Sequence, residues 1–138
     1  MSNQKILVVD DSPVVVKTIE MKLSMAGYQV LIAREGGDAV GIARKEKPDL
    51  IVLDINFPPD SANTGGVAWD GFLIMQWLRR LEEAKNTPII IITGADPGKF
   101  HDKAMALGAT AFFAKPVNHE KLLEEIQKAL EASSAAVA

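Results

Sequence analysis

Acidic, hydroxyl and ammonium side chains recur in this chain where short apolar runs stop. Ile6-Leu-Val-Val9 runs into Asp10-Asp11, Leu50-Ile-Val-Leu53 into Asp54, Ile89-Ile-Ile-Ile92 into Thr93, and Ala111-Phe-Phe-Ala114 into Lys115-Pro116. Carboxylates brought close together repel. The strain is relieved either by protonating one of them or by binding a hard divalent cation such as Mg2+, which takes oxygen ligands and keeps several waters. A carboxylate in such a cluster can act as a nucleophile and become an aspartyl-phosphate. A lysine ammonium and a cation would offset the charge on the transferring oxygens, with a threonine hydroxyl beside them. That chemistry requires residues far apart in sequence to meet.

The intervening segments supply the means. The apolar runs, with Tyr28-Gln-Val-Leu-Ile32 as a more polar fifth, are short, β-branched or aromatic, and bounded by turn residues. Continuous apolar runs suit strands covered on both faces. Ser12-Pro13 reads as a helix start, with Val15, Val16, Ile19, Leu23 and Ala26 at helical spacing and Gly27 as a stop. Further helices are expected over about 38–45, from near Asp70, over about 98–107, and from Asn118 onward. Strand and helix alternate, so the expected fold is α/β: a (βα)5 doubly wound, flavodoxin-like sheet of five parallel strands with right-handed crossovers. Ligands of such sheets bind outside the carboxyl ends of the strands, where all the polar residues above would converge.

Composition fits this picture. The chain has 138 residues, 48% hydrophobic and 24% charged, so one domain with a sizeable core is expected. The domain is placed at 1–131 and a short flexible tail at 132–138. Cysteine is absent, which excludes disulfides, thiolate chemistry and cysteine metal sites. The net charge of −3 argues against nucleic acid as a main partner. Met1 to Gln4 are polar and the run after them is too short for a secretion signal. No segment approaches the roughly 20 apolar residues of a membrane span, so the expected location is the cytoplasm.

The elements Ile6-Leu-Val-Val-Asp10-Asp11-Ser-Pro13, Pro48-Asp-Leu-Ile-Val-Leu-Asp54, Pro88-Ile-Ile-Ile-Ile-Thr93-Gly94 and Gly108-Ala-Thr-Ala-Phe-Phe-Ala-Lys115-Pro116 stand in the order and at the spacing of a known family. Over about residues 4–131 the chain resembles the receiver domain of two-component response regulators, of the stand-alone chemotaxis type. The resemblance implies that Asp54 is the phosphoacceptor. It makes Asp10, Asp11, Asp54 and the backbone carbonyl of Asn56 the ligands of Mg2+ or Mn2+. Lys115 would pair with the phosphoryl group, Thr93 would be the switch hydroxyl, and Phe112 would take the aromatic switch position. A cis Lys115–Pro116 bond is implied as well. The implied donor is a histidine kinase or phosphotransfer protein and the readout a protein–protein contact by a monomer or weak dimer, with no nucleic acid or membrane involved. The chain would catalyse only its own phosphorylation and dephosphorylation, and so is not expected to be an enzyme with turnover.

Some positions depart from the family. Pro58 and Asp70-Gly71 match the turn after the phosphoacceptor, but an insertion of roughly nine residues lies between them, within about 59–69. Phe112 has no hydroxyl, so its switch would rest on packing. Asn56 and Ala95 occupy positions that tune hydrolysis in the family. A second reading makes the chain a phosphorylation-independent docking module that uses the insertion. Haloacid-dehalogenase-type phosphatases also use an aspartyl-phosphate, but they place an acid two residues after the nucleophile, where this chain has Asn56. An acid-lined pocket would repel the phosphate of a flavin. His101 and His119 each sit near a helix start with no second histidine at ligand spacing, and neither is expected to be a phosphodonor.

Overall fold

Isoleucine, valine and leucine fill the central strands, and those strands are buried along nearly their whole length. The structure, a computed structural model, describes residues 4–54, 71–82, 84–94 and 97–137. Asn56, Phe57, Pro58, Trp69, Asp70, Ala95 and the insertion at 59–69 lie outside the described residues.

The elements run β1 (Lys5–Val9), α1 (Pro13–Met25), β2 (Gln29–Ala33), α2 (Gly36–Glu46), β3 (Leu50–Asp54), α3 (Gly71–Arg80), β4 (Ile89–Thr93), α4 (Pro97–Ala106), β5 (Ala111–Ala114) and α5 (His119–Val137). All strand pairs are parallel, in the order β2-β1-β3-β4-β5. This is the five-stranded doubly wound α/β sheet expected from the sequence. None of the described helices is long and apolar enough to cross a membrane.

The period of two along a strand divides the core. Ile6, Val8, Leu50, Val52, Ile90 and Ile92 face α1 and α5, packing with Ile19, Leu23, Leu122 and Ile126. Leu7, Val9, Ile51, Leu53, Ile89 and Ile91 face α2, α3 and α4, packing with Ala39, Ala43, Ile74, Leu78 and Ala104. Covering both faces removes the need for polar alternation, which explains the continuous apolar runs.

Local signals set the helix ends. Ser12 caps α1, its Oγ accepting from the Val15 N–H at 3.4 Å, with Pro13 in the first turn. Gly27 then takes φ 97°, a conformation open to glycine. Asn118 Oδ1 accepts from the Lys121 N–H at 3.1 Å and caps α5. That helix runs on to Val137, past the point where the sequence suggests a tail, through a stretch rich in the strong helix former alanine. Helix α2 begins at Gly36, earlier than the apolar spacing suggests, and Glu35 before it provides no side-chain cap to mark the start.

Candidate functional site

Strand register brings the acidic residues together. Val9 pairs with Leu53 across β1 and β3, so the next residues, Asp10 and Asp54, stand side by side at the carboxyl edge. Asp10 is fully buried and Asp54 nearly so, whereas Asp11 is exposed. One carboxylate oxygen from each of Asp10, Asp11 and Asp54 lies within 4.8 Å of the others. Thr93 pairs with Ala114 across β4 and β5, which sets Lys115 one step beyond, its N–H donating to the Thr93 carbonyl at 2.8 Å. The Lys115–Pro116 bond is cis.

Lys115 closes the cluster. Its Nζ donates to Asp54 Oδ2 at 3.0 Å and lies 2.9 Å from Asp10 Oδ2. Burial alone pulls the lysine pKa down, but the hydrogen bonds and charges of Asp10 and Asp54 outweigh it and hold the pKa above its ordinary 10.5. The ammonium is therefore charged at neutral pH.

The two oxygens of Asp10 do different work. Oδ1 accepts the Ser12 N–H at 2.9 Å and so shapes the turn into α1. Oδ2 is buried and pairs with the Lys115 ammonium at 2.9 Å. The three carboxylates, with oxygens within 4.8 Å of one another and a single ammonium between two of them, fit a hard divalent cation. The residues present therefore suit Mg2+, with Asp10, Asp11 and Asp54 as the side-chain ligands; the expected carbonyl of Asn56 lies outside the described residues.

The remaining expected residues take the other side of the sheet. Thr93 continues the parity of Ile89 and Ile91, and Phe112 packs against the same core cluster beneath α4, opposite Ile91. Thr93 is completely buried and Phe112 partly so. The structure thus brings Asp10, Asp11, Asp54 and Lys115 into one cluster, and places Thr93 and Phe112 behind it. Sequence reasoning missed two contacts. His101 on α4 stacks against Phe112, and Arg79 on α3 donates to the carbonyls of Thr87 (2.7 Å) and Gly108 (3.1 Å). Neither lies in a motif, and both depend on which helices cover which face.

Comparison with known proteins agrees with this geometry. The response regulator receiver domain family matches residues 6–127. Protein PilH of Pseudomonas aeruginosa is 36% identical over 126 residues, covering 91% of this chain and 97% of that protein. A probable transcriptional regulator, ycf27 of Porphyridium aerugineum, is 32% identical, but this chain spans only 49% of its length. Among solved structures, the chemotaxis protein CheY4 of Vibrio cholerae superposes with a TM-score of 0.80 at 31% identity, covering 93% of this chain and 99% of that one. The receiver domain of a sensor histidine kinase from Pseudomonas aeruginosa, solved with a magnesium ion coordinated in its active-site cleft, gives a TM-score of 0.80 at 27% identity, covering 94% of this chain and 99% of that one. The sheet order, the acidic edge and these likenesses lead to one assignment: the chain belongs to the response regulator receiver domain family of two-component signalling.

Proposed function

We propose that this chain is a phosphorylation-controlled switch that accepts a phosphoryl group on Asp54. The observation that carries this reading is the meeting of Asp10, Asp11 and Asp54 within 4.8 Å, with Lys115 bridging the two buried carboxylates. In the transfer, an Asp54 carboxylate oxygen attacks phosphorus. The bond from phosphorus to the donor's histidine nitrogen breaks as the new P–O bond forms, and the released imidazole takes a proton from solvent. Lys115 begins paired with Asp54 Oδ2 and is placed to follow the negative charge onto the phosphoryl oxygens. Asp10, Asp11 and Asp54 would hold Mg2+, which supplies charge neutralisation for those oxygens.

Burial supports the choice of nucleophile. Asp54 is 3% exposed and held by Lys115 at 3.0 Å, whereas Asp11 is open to solvent and Asp10 is committed through Oδ1 to the Ser12 N–H. A protein donor, a histidine kinase or a phosphotransfer protein, is supported by α1, whose solvent side carries Val14, Met21 and Met25 at helical spacing, all exposed. Val14 also lines a small apolar cleft beside Lys115 and Pro116. Thr93 and Phe112 would report the modification to the α4–β5 surface. The chain acts on itself alone and turns over no separate substrate.

Incubation with Mg2+ and acetyl phosphate tests the reading. The intact mass is expected to rise by one phosphoryl group, and Asp54→Asn or a chelator should abolish the gain. Beryllofluoride, a stable mimic of the acyl phosphate, should change the tryptophan fluorescence. No added mass and no response to beryllofluoride would overturn the proposal in favour of a docking module that ignores phosphorylation.

A further inference from the structure

We infer that the furrow between α3 and α4 docks an acidic amphipathic helix of a partner protein. The furrow holds about 420 Å³. It opens at the ends of α3 and α4 that lead into β4 and β5, the edge of the sheet opposite Asp54, and so does not depend on the phosphorylation chemistry. Met75 and Leu107 give it an apolar floor, with Ala106 of α4 on one wall. Gln76, Arg79 and Arg80 of α3 form the other. None of the described lining residues is acidic.

Charge selects the occupant. Lys103 of α4 reaches across to α3, its Nζ lying 4.5 Å from the Phe72 ring centroid, so a further cation stands at the other end of the same seam. Phe72 and Arg79 are two helical turns apart, about 10 Å along the axis. Acidic side chains two turns apart on a helix laid along the furrow have the same spacing. The nearby acids are engaged elsewhere: Glu82 pairs with Lys85 at 3.2 Å, and Asp102 stands 3.3 Å from His101. Arg79 spends its guanidinium on the carbonyls of Thr87 and Gly108, which masks oxygens that would repel a carboxylate. Arg80 is the exposed contact. Its Cζ lies 5.8 Å from the ring centroid of Trp77, itself exposed, so the indole steadies the guanidinium. Arginine takes carboxylates through paired hydrogen bonds, and Trp and Arg are the residue types that dominate binding energy at protein interfaces. An apolar floor flanked by cations is the complement of a helix whose apolar face is flanked by acids.

The test uses the full chain without Mg2+ or a phosphodonor, so its outcome is independent of Asp54. A display library of helical peptides with randomised faces is selected on the native chain and, in parallel, on Arg80→Glu. The native chain is expected to enrich peptides with acidic residues two turns apart around a large apolar residue, and Arg80→Glu should lose that acidic preference. A selected peptide is then titrated by calorimetry and mapped by NMR. Amide shifts should centre on Gln76, Arg80, Ala106 and Leu107. Arg80→Glu should weaken binding by about tenfold or more. Ala106→Arg adds positive charge but fills the furrow, so it should weaken binding as well, whereas diffuse charge attraction would strengthen it. Circular dichroism checks that both variants, at exposed positions, stay folded. No enrichment over the bare support, enrichment without acids, shifts centred on another face, or tighter binding by Ala106→Arg would each overturn the inference.

Discussion

Asp10 and Asp54 stand abreast at the ends of adjacent strands and share a single ammonium, Lys115 Nζ, at 2.9 and 3.0 Å. Two buried carboxylates and one cation leave negative charge that burial makes costly.

Removing the cation should expose that cost. Lys115→Ala is expected to destabilise the chain by roughly 1–3 kcal/mol in chelator, since it leaves the buried carboxylates uncompensated; the partial exposure of Lys115 keeps the value below that for a fully buried pair. Saturating Mg2+ should recover part of the loss, because a ligand that binds only the folded state stabilises it. Urea titrations with and without Mg2+ check both statements. A deficit that Mg2+ leaves unchanged would contradict the cation site.

Asp11 should separate binding from folding. It is exposed, so Asp11→Ala is expected to change stability by less than about 0.5 kcal/mol. Mg2+ affinity, measured by calorimetry, should nonetheless fall by more than about tenfold, because one of three side-chain ligands is lost.

The Lys115 pKa gives a pH prediction. A group whose folded pKa is raised contributes its stability fully below the ordinary value and loses it as pH climbs through the folded value. The stability gap between native and Lys115→Met chains should therefore stay level from neutral pH to about 10.5 and close above it. Urea midpoints across that range decide the matter, and a gap that closes below pH 9 would contradict the pairing.

Arg79 predicts a purely structural loss. One of its amino groups serves the Thr87 carbonyl at 2.7 Å and also reaches Ala84 and Lys85, and the other serves Gly108. Burial pulls its pKa below the ordinary arginine value, yet the group stays charged at neutral pH. Arg79→Met should cost about 1–3 kcal/mol by stranding carbonyls, and Arg79→Lys should rescue little because an ammonium cannot span both sides of the fork. Thermal or urea unfolding measures it.

The sequence made much of this legible, for identifiable reasons. Apolar runs such as Ile89–Ile92 announce strands buried on both faces, and the polar residues that end them announce the carboxyl edge. Asp10, Asp54 and Lys115 could be grouped because parallel strands all end on one side. Other features depended on facts that no local pattern carries. The sharing of one lysine by Asp10 and Asp54 needs the strand order β1-β3-β4-β5. The contact of His101 with Phe112 needs α4 to lie over the face that Phe112 chose. The split duty of the two Asp10 oxygens needs the turn geometry of Ser12. Helix ends drifted where caps were weak: Glu35 before α2 offers no side-chain cap, and the start moved accordingly.

The parity of the strands carries one last consequence. Asp54 and Lys115 project with the residues that face α1 and α5, while Thr93 and Phe112 project with those that face α2, α3 and α4. The sheet thus separates the face that carries Asp54 and Lys115 from the face that carries Thr93 and Phe112. A new readout surface could be built around α4 while the donor-facing chemistry is inherited intact, so the two halves of the device are free to diverge at different rates.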